Sequence, residues 1–476
     1  MTRRGRADAH EADAEPTVGA AAPRAWFSSP RGPLRGELRM PGDKSISHRA
    51  LVLNALADGP ARVRGLLDAD DVRSTATALR ALGVEIEAQA DGVIVRPPAR
   101  GLVEPDVPLD CGNSGTTMRL LAGALAARPL FAVLTGDASL RRRPMDRVLQ
   151  PLAHMGARVD GRAGGRFAPV TIRGGDLQML HHALPIASAQ VKSALLLAGL
   201  RCGVAVKEPR PSRDHTERML ARMGATLRRA PDSAEPQRPR RARRVATDPS
   251  QVMQVSTITG SDWLVLLPTD RLSPLDVDVP GDLSSAAFFL VAAAIVPGSD
   301  LRLRGVGVNP TRAGVIDALR AMGARIDVEP LDSPGAEPTA DLRIRAGALQ
   351  GTLIGGELSL RCIDEIPALA IAAAFAEGET IIRDAAELRV KESDRIARVV
   401  QGLRSMGVEV EELPDGMIIR GGGPRAAGLV DATGDHRIAM AFAVAGLAAP
   451  GGVQIVGAES ITSSYPSFRA DLERLR

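Results

Sequence analysis

A short phrase recurs through the chain: Leu82-Gly83-Val84, Met155-Gly156-Ala157, Met223-Gly224-Ala225, Met322-Gly323-Ala324 and Met406-Gly407-Val408. Each copy follows a helix-like stretch and precedes alternating residues, such as Val84 and Ile86 or Val408 and Val410, that read as a strand. Glycine is the expected helix stop there, because it enters the left-handed region without a Cβ clash. Copies roughly 70 to 100 residues apart are too far apart for a solenoid and suit a repeated α/β subdomain.

A second series interleaves with the first. Alanine-rich helices are predicted at about Ala50 to Ala57, Thr116 to Ala127, Val191 to Leu200, Ser285 to Ile295, Pro367 to Ala376 and Ile438 to Ala449. They are apolar nearly all round, so they belong inside a core. That makes six units, the sixth completed by a strand at Leu34 to Met40. Each helix starts on a polar cluster: Lys44 to Arg49, Asn113 to Thr116, Ser188 to Lys192, Gly281 to Ser285, Asp364-Glu365 and Asp435-His436-Arg437. Capping by Ser, Asn or Asp explains any one of them. Six clusters, several with Arg or Lys that capping does not require, place two bundles of helix N-termini around a shared cleft, where backbone N–H groups and helix dipoles favour anions.

The chain has 476 residues, more than one core usually supports, and 45 % of them are apolar. Aromatics are only 2 %, which leaves few rings to stack on bases and argues against nucleic acid. The net charge of +4 sits in residues 226–250, where seven arginines face Asp232, Glu235 and Asp248; this proline-rich stretch reads as a solvated, mobile insertion. Residues 1–27 read as a disordered tail without an apolar signal core, and no apolar run reaches the roughly 20 residues needed to span a bilayer. A cytoplasmic, monomeric protein is expected. Cys111, Cys202 and Cys362 fit neither a disulfide framework nor a zinc pattern. Lys44, Lys192, Lys207 and Lys391 are the only lysines in an arginine-rich chain, which marks them as positions where a compact ammonium matters.

Three further basic motifs are Arg141-Arg142-Arg143-Pro144-Met145, Glu208 to His215, and Arg389 to Arg395. A cleft closing over so many cations needs anionic ligands, because buried unpaired charge is costly. Asp364 and Glu392 are the acid–base candidates, with a structural ion pair as the alternative for each. Gly42-Asp43-Lys44-Ser45 lacks the spacing of a nucleotide phosphate loop, and no Gly-x-Gly-x-x-Gly follows a strand.

Together these motifs resemble the 5-enolpyruvylshikimate-3-phosphate (EPSP) synthase family. The resemblance runs from about Gly32 to Phe468 and rests on Pro41 to Ala50, Gly112 to Thr116, Arg143-Pro144-Met145, Ser188-Ala189-Gln190, Arg389 to Arg395 and Asp435-His436-Arg437, in family order. The wording of Ser188 to Ser193 and Pro211 to Glu217 is similar to the bacterial branch called class II. The resemblance implies a two-domain inside-out α/β barrel, the enolpyruvyl transferase fold, with three βαβαββ units per domain. One domain would span 43–279; the other, discontinuous, would comprise 28–42 and 280–476, with crossings near Gly42 and Pro280.

The activity implied is transfer of the enolpyruvyl group of phosphoenolpyruvate to shikimate 3-phosphate, with no metal or cofactor. Lys44, Ser45, Arg49, Ser188, Ala189, Gln190, Ser212, Asp364 and Lys391 would hold shikimate 3-phosphate. Lys44, Asn113, Gly115, Arg143, Gln190, Arg395 and Arg437 would hold phosphoenolpyruvate. Asp364 would be the base, with Glu392 and Lys44 handling the other proton transfers. Gly115 implies sensitivity to glyphosate. Two departures stand out: Ser463-Ser464 where some members carry a phosphoenolpyruvate-binding lysine, and Glu387 where some carry Asn. Two rivals stay open at this point, the related transferase that uses UDP-N-acetylglucosamine and a non-catalytic anion-binding scaffold.

Overall fold

The structure is a computed structural model that describes residues 25–231, 262–332, 336–432 and 434–475. The second unit illustrates the repeat. Strand Leu109–Asp110 leads to helix Gly115–Ala126, strand Phe131–Thr135, helix Asp146–Met155 and the strands Arg158–Arg162 and Phe167–Arg173. The short first strand lies parallel to Phe131–Thr135, with Leu109 opposite Leu134, and the last two strands form a hairpin that closes the four-stranded sheet. Gly156 ends the outer helix at φ 113°, a conformation that the Met-Gly-Ala phrase supplies. Among the described residues there are five such four-stranded sheets and one of three strands.

Buried apolar residues fall into two clusters. One runs from Ile46 to Val279; the other combines Trp26 to Met40 with Leu283 to Leu475. Six helices lie inside them: Lys44–Asn54, Gly115–Ala126, Ala189–Ala198, Leu283–Ile295, Ile366–Phe375 and His436–Gly446. Every residue of Leu283–Ile295 is buried, which its unbroken apolar run requires. The chain passes between the clusters at two adjacent segments. Asp43 N–H donates to Pro280 O at 2.8 Å and Asp282 N–H to Pro41 O at 2.8 Å.

Several expectations need correction. The first inner helix starts at Lys44, not near Ala50, because the side chain of Asp43 accepts from Ile46 N–H and draws the whole charged motif into the first turns. Residues 25–27, expected in the tail, belong to the fold: Ala25–Ser28 is a strand antiparallel to Val453–Val456, held by the buried ring of Trp26 against Phe468. This strand completes the sixth sheet. Arg35–Arg39 instead runs parallel to Asp300–Gly307 in the fourth. In the basic insertion, Leu227–Ala230 pairs with Trp263–Leu266, while 232–250 lie outside the described residues, as do residues 1–24. Among the described residues no helix is long and apolar enough to cross a membrane.

Candidate active site

The inner helices aim their N-termini at the gap between the two cores. Asp43, Ser114, Asp282 and Asp435 cap four of them with side-chain oxygens. Capping from outside the first turn leaves the first-turn side chains free to line the gap. There Lys44, Ser45, Gly115 and Gln190 from the first core face Asp364, Lys391, Glu392, Arg395 and Arg437 from the second, with Arg143 beside them. An adjoining cavity shares Ser45, Gln190, Asp364 and Lys391 and adds Arg49, Ser188, Ala189 and Ser212. Every expected site residue except Asn113 therefore lines one continuous cleft.

Asn113 stands behind that lining: its amide nitrogen donates to Asp137 at 2.6 Å and its oxygen accepts from Arg143. Arg49 is also committed: its guanidinium donates to Thr216 at 2.7 Å, Ser193 at 2.9 Å and Ser45 O at 3.0 Å. Burial pushes its pKa down to about 10.

Asp364 collects cations from both cores. Arg213 lies 2.7 Å from its carboxylate, Arg395 3.5 Å and Lys391 3.7 Å, and Arg437 donates to its backbone carbonyl at 3.1 Å. Burial pushes this carboxyl up, but Lys391, then Arg213, Arg437 and Arg395, outweigh it and hold the group well below the usual range. Glu392 behaves alike. Burial raises it, yet Arg395 at 2.5 Å and Arg143 at 3.6 Å hold it well below the usual range. Both are ionised at neutral pH, so each can accept a proton and neither starts as a donor. The pairs Arg213–Asp364 and Arg143–Glu392 bridge the two cores.

The sequence reading missed Arg119, Arg147 and Asp71. Arg119 is buried in the otherwise apolar helix Gly115–Ala126, donates to Gln190 and Pro144 O, and is pushed down to about 9 by burial, then by Arg147 and Arg143. A lone arginine within an alanine-rich buried run was the available signal. Arg147 lines the cleft, and Asp71 holds Lys44 Nζ at 2.9 Å. Glu387 stands 3.1 Å from Lys391 and is lowered: burial raises it, and Lys391 and Arg147 prevail. Ser463 contacts the Nδ1 of His436 at 3.3 Å, next to Arg437.

Comparison with known proteins agrees over almost the whole chain. The family model described as EPSP synthase (3-phosphoshikimate 1-carboxyvinyltransferase) matches residues 29–253 and 252–472. A 3-phosphoshikimate 1-carboxyvinyltransferase from Desulforudis audaxviator is 50 % identical over 454 residues, covering 94 % of this chain and 98 % of that protein. One from Pelotomaculum thermopropionicum is 52 % identical over 441 residues, covering 91 % and 95 %. Among solved structures, EPSP synthase from Acinetobacter baumannii aligns with a TM-score of 0.79 at 40 % identity, covering 95 % of this chain and 98 % of that one. An enolpyruvyl transferase from Streptomyces tendae, at 19 % identity, TM-score 0.72 and coverage of 95 % and 97 %, shares the fold.

Proposed function

The chain belongs to the 3-phosphoshikimate 1-carboxyvinyltransferase (EPSP synthase) family, and on that premise we propose that it moves the enolpyruvyl group of phosphoenolpyruvate onto the 5-hydroxyl of shikimate 3-phosphate, releasing phosphate on the route to chorismate and the aromatic amino acids. The observation that carries this reading is Asp364, a partly buried carboxylate kept ionised by cations from both walls of one cleft. Both substrates bring a phosphate and a carboxylate. Those anions would take over the cations now paired with Asp364 and Glu392, exchanging one set of charge-assisted contacts for another.

In this reading Ser45, Arg49, Ser188, Ala189, Gln190, Ser212 and Lys391 hold shikimate 3-phosphate, with Asp364 at its 5-hydroxyl as proton acceptor. Lys44, Gly115, Arg143, Gln190, Arg395 and Arg437 hold phosphoenolpyruvate, and Asn113 keeps Arg143 in place. Once phosphoenolpyruvate engages Arg143 and Arg395, Glu392 loses the cations that depress it and rises toward the range of a proton donor. Having taken up a proton from solvent, it then donates it to the methylene carbon, with Lys44 beside it. Residues 43–279 act as one domain and 25–42 with 280–476 as the other, closing on the substrates as a cytoplasmic monomer. A phosphate-release assay tests the reading. Release is expected with phosphoenolpyruvate plus shikimate 3-phosphate; release only with UDP-N-acetylglucosamine, or calorimetric binding without release, overturns it.

A further inference from the structure

Lys192 is one of four lysines, and the proposed reaction does not use it. It is 2 % exposed and sits in the first turn of helix Ala189–Ala198, just past Gln190. Its Nζ lies 2.7 Å from Glu208 Oε2, 2.8 Å from Glu217 Oε1 and 3.3 Å from Ser212 O. Glu208 in turn accepts from the Ser212 hydroxyl at 2.5 Å and from the Ser212 N–H at 3.3 Å. Ser212 lines the cleft, while Lys192 and Glu208 stand behind it. Burial pushes Lys192 down, but Glu208 and Glu217 outweigh it, so its charge is secure.

A serine hydroxyl has one proton to donate. While Glu208 receives it, a phosphate cannot. We propose that Glu208 is a built-in occupant of the Ser212 donors that yields them when shikimate 3-phosphate arrives, and that Lys192 is a positioning residue which neutralises Glu208 and sets affinity for that substrate. The proposal rests on the reading of Ser212 as a ligand of shikimate 3-phosphate. Without Lys192, an uncompensated carboxylate would keep the hydroxyl and repel the incoming phosphate.

Steady-state kinetics test this. Lys192→Met is expected to raise KM for shikimate 3-phosphate about tenfold, leaving kcat and KM for phosphoenolpyruvate within about twofold. Adding Glu208→Gln should bring that KM back to within about threefold of the parent, since a neutral amide releases the hydroxyl more easily. A lysine needed only for structure would instead lower kcat and raise KM for phosphoenolpyruvate together with KM for shikimate 3-phosphate. An unchanged KM in Lys192→Met, or no recovery in the double variant, overturns the proposal. If circular dichroism shows Lys192→Met unfolded, Glu208→Gln alone decides: KM for shikimate 3-phosphate should fall, and a rise overturns the proposal. A parent enzyme that does not turn over shikimate 3-phosphate would instead sink the functional reading.

Discussion

At the scale of single residues, charge decides what the cleft can do. Asp364 was legible as an acid–base candidate from its place at a helix start, but its ionisation state was not. That depends on Lys391 and then on Arg213, the latter 151 positions earlier in the chain and 2.7 Å away in space. Asp364→Ala should lower kcat by about 10²- to 10⁴-fold, the usual worth of a positioned base, while the protein stays folded. Normal turnover would remove Asp364 from the mechanism. The depressed pKa has its own readout. A group held below its ordinary value stays deprotonated as pH falls, so the Asp364 carboxyl band, isolated by infrared difference against Asp364→Asn, should titrate below about pH 3.9 in the substrate-free protein. A midpoint at or above that value would mean the surrounding cations do not control it.

At the scale of elements, the six inner helices were readable because an alanine-rich run with no polar face has only a core to occupy. Their exact starts were not, since Lys44 to Arg49 looks like a loop until Asp43 is seen capping from outside. Strand Ala25–Ser28 left even less trace: its stability comes from Trp26 on Phe468 and from Ser28 bonding Ala443 O at 2.6 Å, contacts more than 400 positions distant. Two glycines of one helix, Gly115–Ala126, separate packing from function. A Cβ on Gly123 would stand 2.1 Å from Ala194 O and 2.6 Å from Ala194 Cα, backbone of the neighbouring inner helix that cannot step aside. Gly123→Ala should cost about 1 to 3 kcal/mol or more in urea unfolding. At Gly115 the nearest atoms are guanidinium nitrogens, Arg119 Nη1 at 2.8 Å and Arg143 Nη1 at 3.5 Å, which can move, although Arg143 is one of the residues proposed to hold phosphoenolpyruvate. Gly115→Ala should leave stability within about 0.5 kcal/mol and raise KM for phosphoenolpyruvate roughly tenfold. Glyphosate should inhibit the parent at lower concentration than this variant; an equal or higher inhibition constant in the parent removes the expected sensitivity.

At the scale of the whole molecule, the two cores are joined through charge as well as through two strands of chain. Arg312 is 3 % exposed and donates to Asp43, to Asp282 and, at 2.6 Å, to Ser284. Its partners are the caps of the first inner helix of each core, at the point where the chain crosses over. No local pattern in Asn309-Pro310-Thr311-Arg312 could announce this, because Asp43 lies 269 positions away. Removing the guanidinium would leave two buried carboxylates without their ion-pair partner, and breaking such a pair typically costs about 3 to 5 kcal/mol. Arg312→Ala should therefore lose that much in urea unfolding, and Arg312→Lys should recover only part, since one ammonium cannot reproduce a planar fork spanning two carboxylates. Exposed Arg420, paired with Glu409 at the surface, provides the contrast: Arg420→Ala should cost no more than about 1 kcal/mol. Because Asp43 also fixes the helix that presents Lys44, Arg312→Ala should lower kcat/KM in the protein that remains folded. Equal stabilities for the two alanine variants would show that the crossover is held by its backbone hydrogen bonds alone, with Arg312 only filling space between the cores.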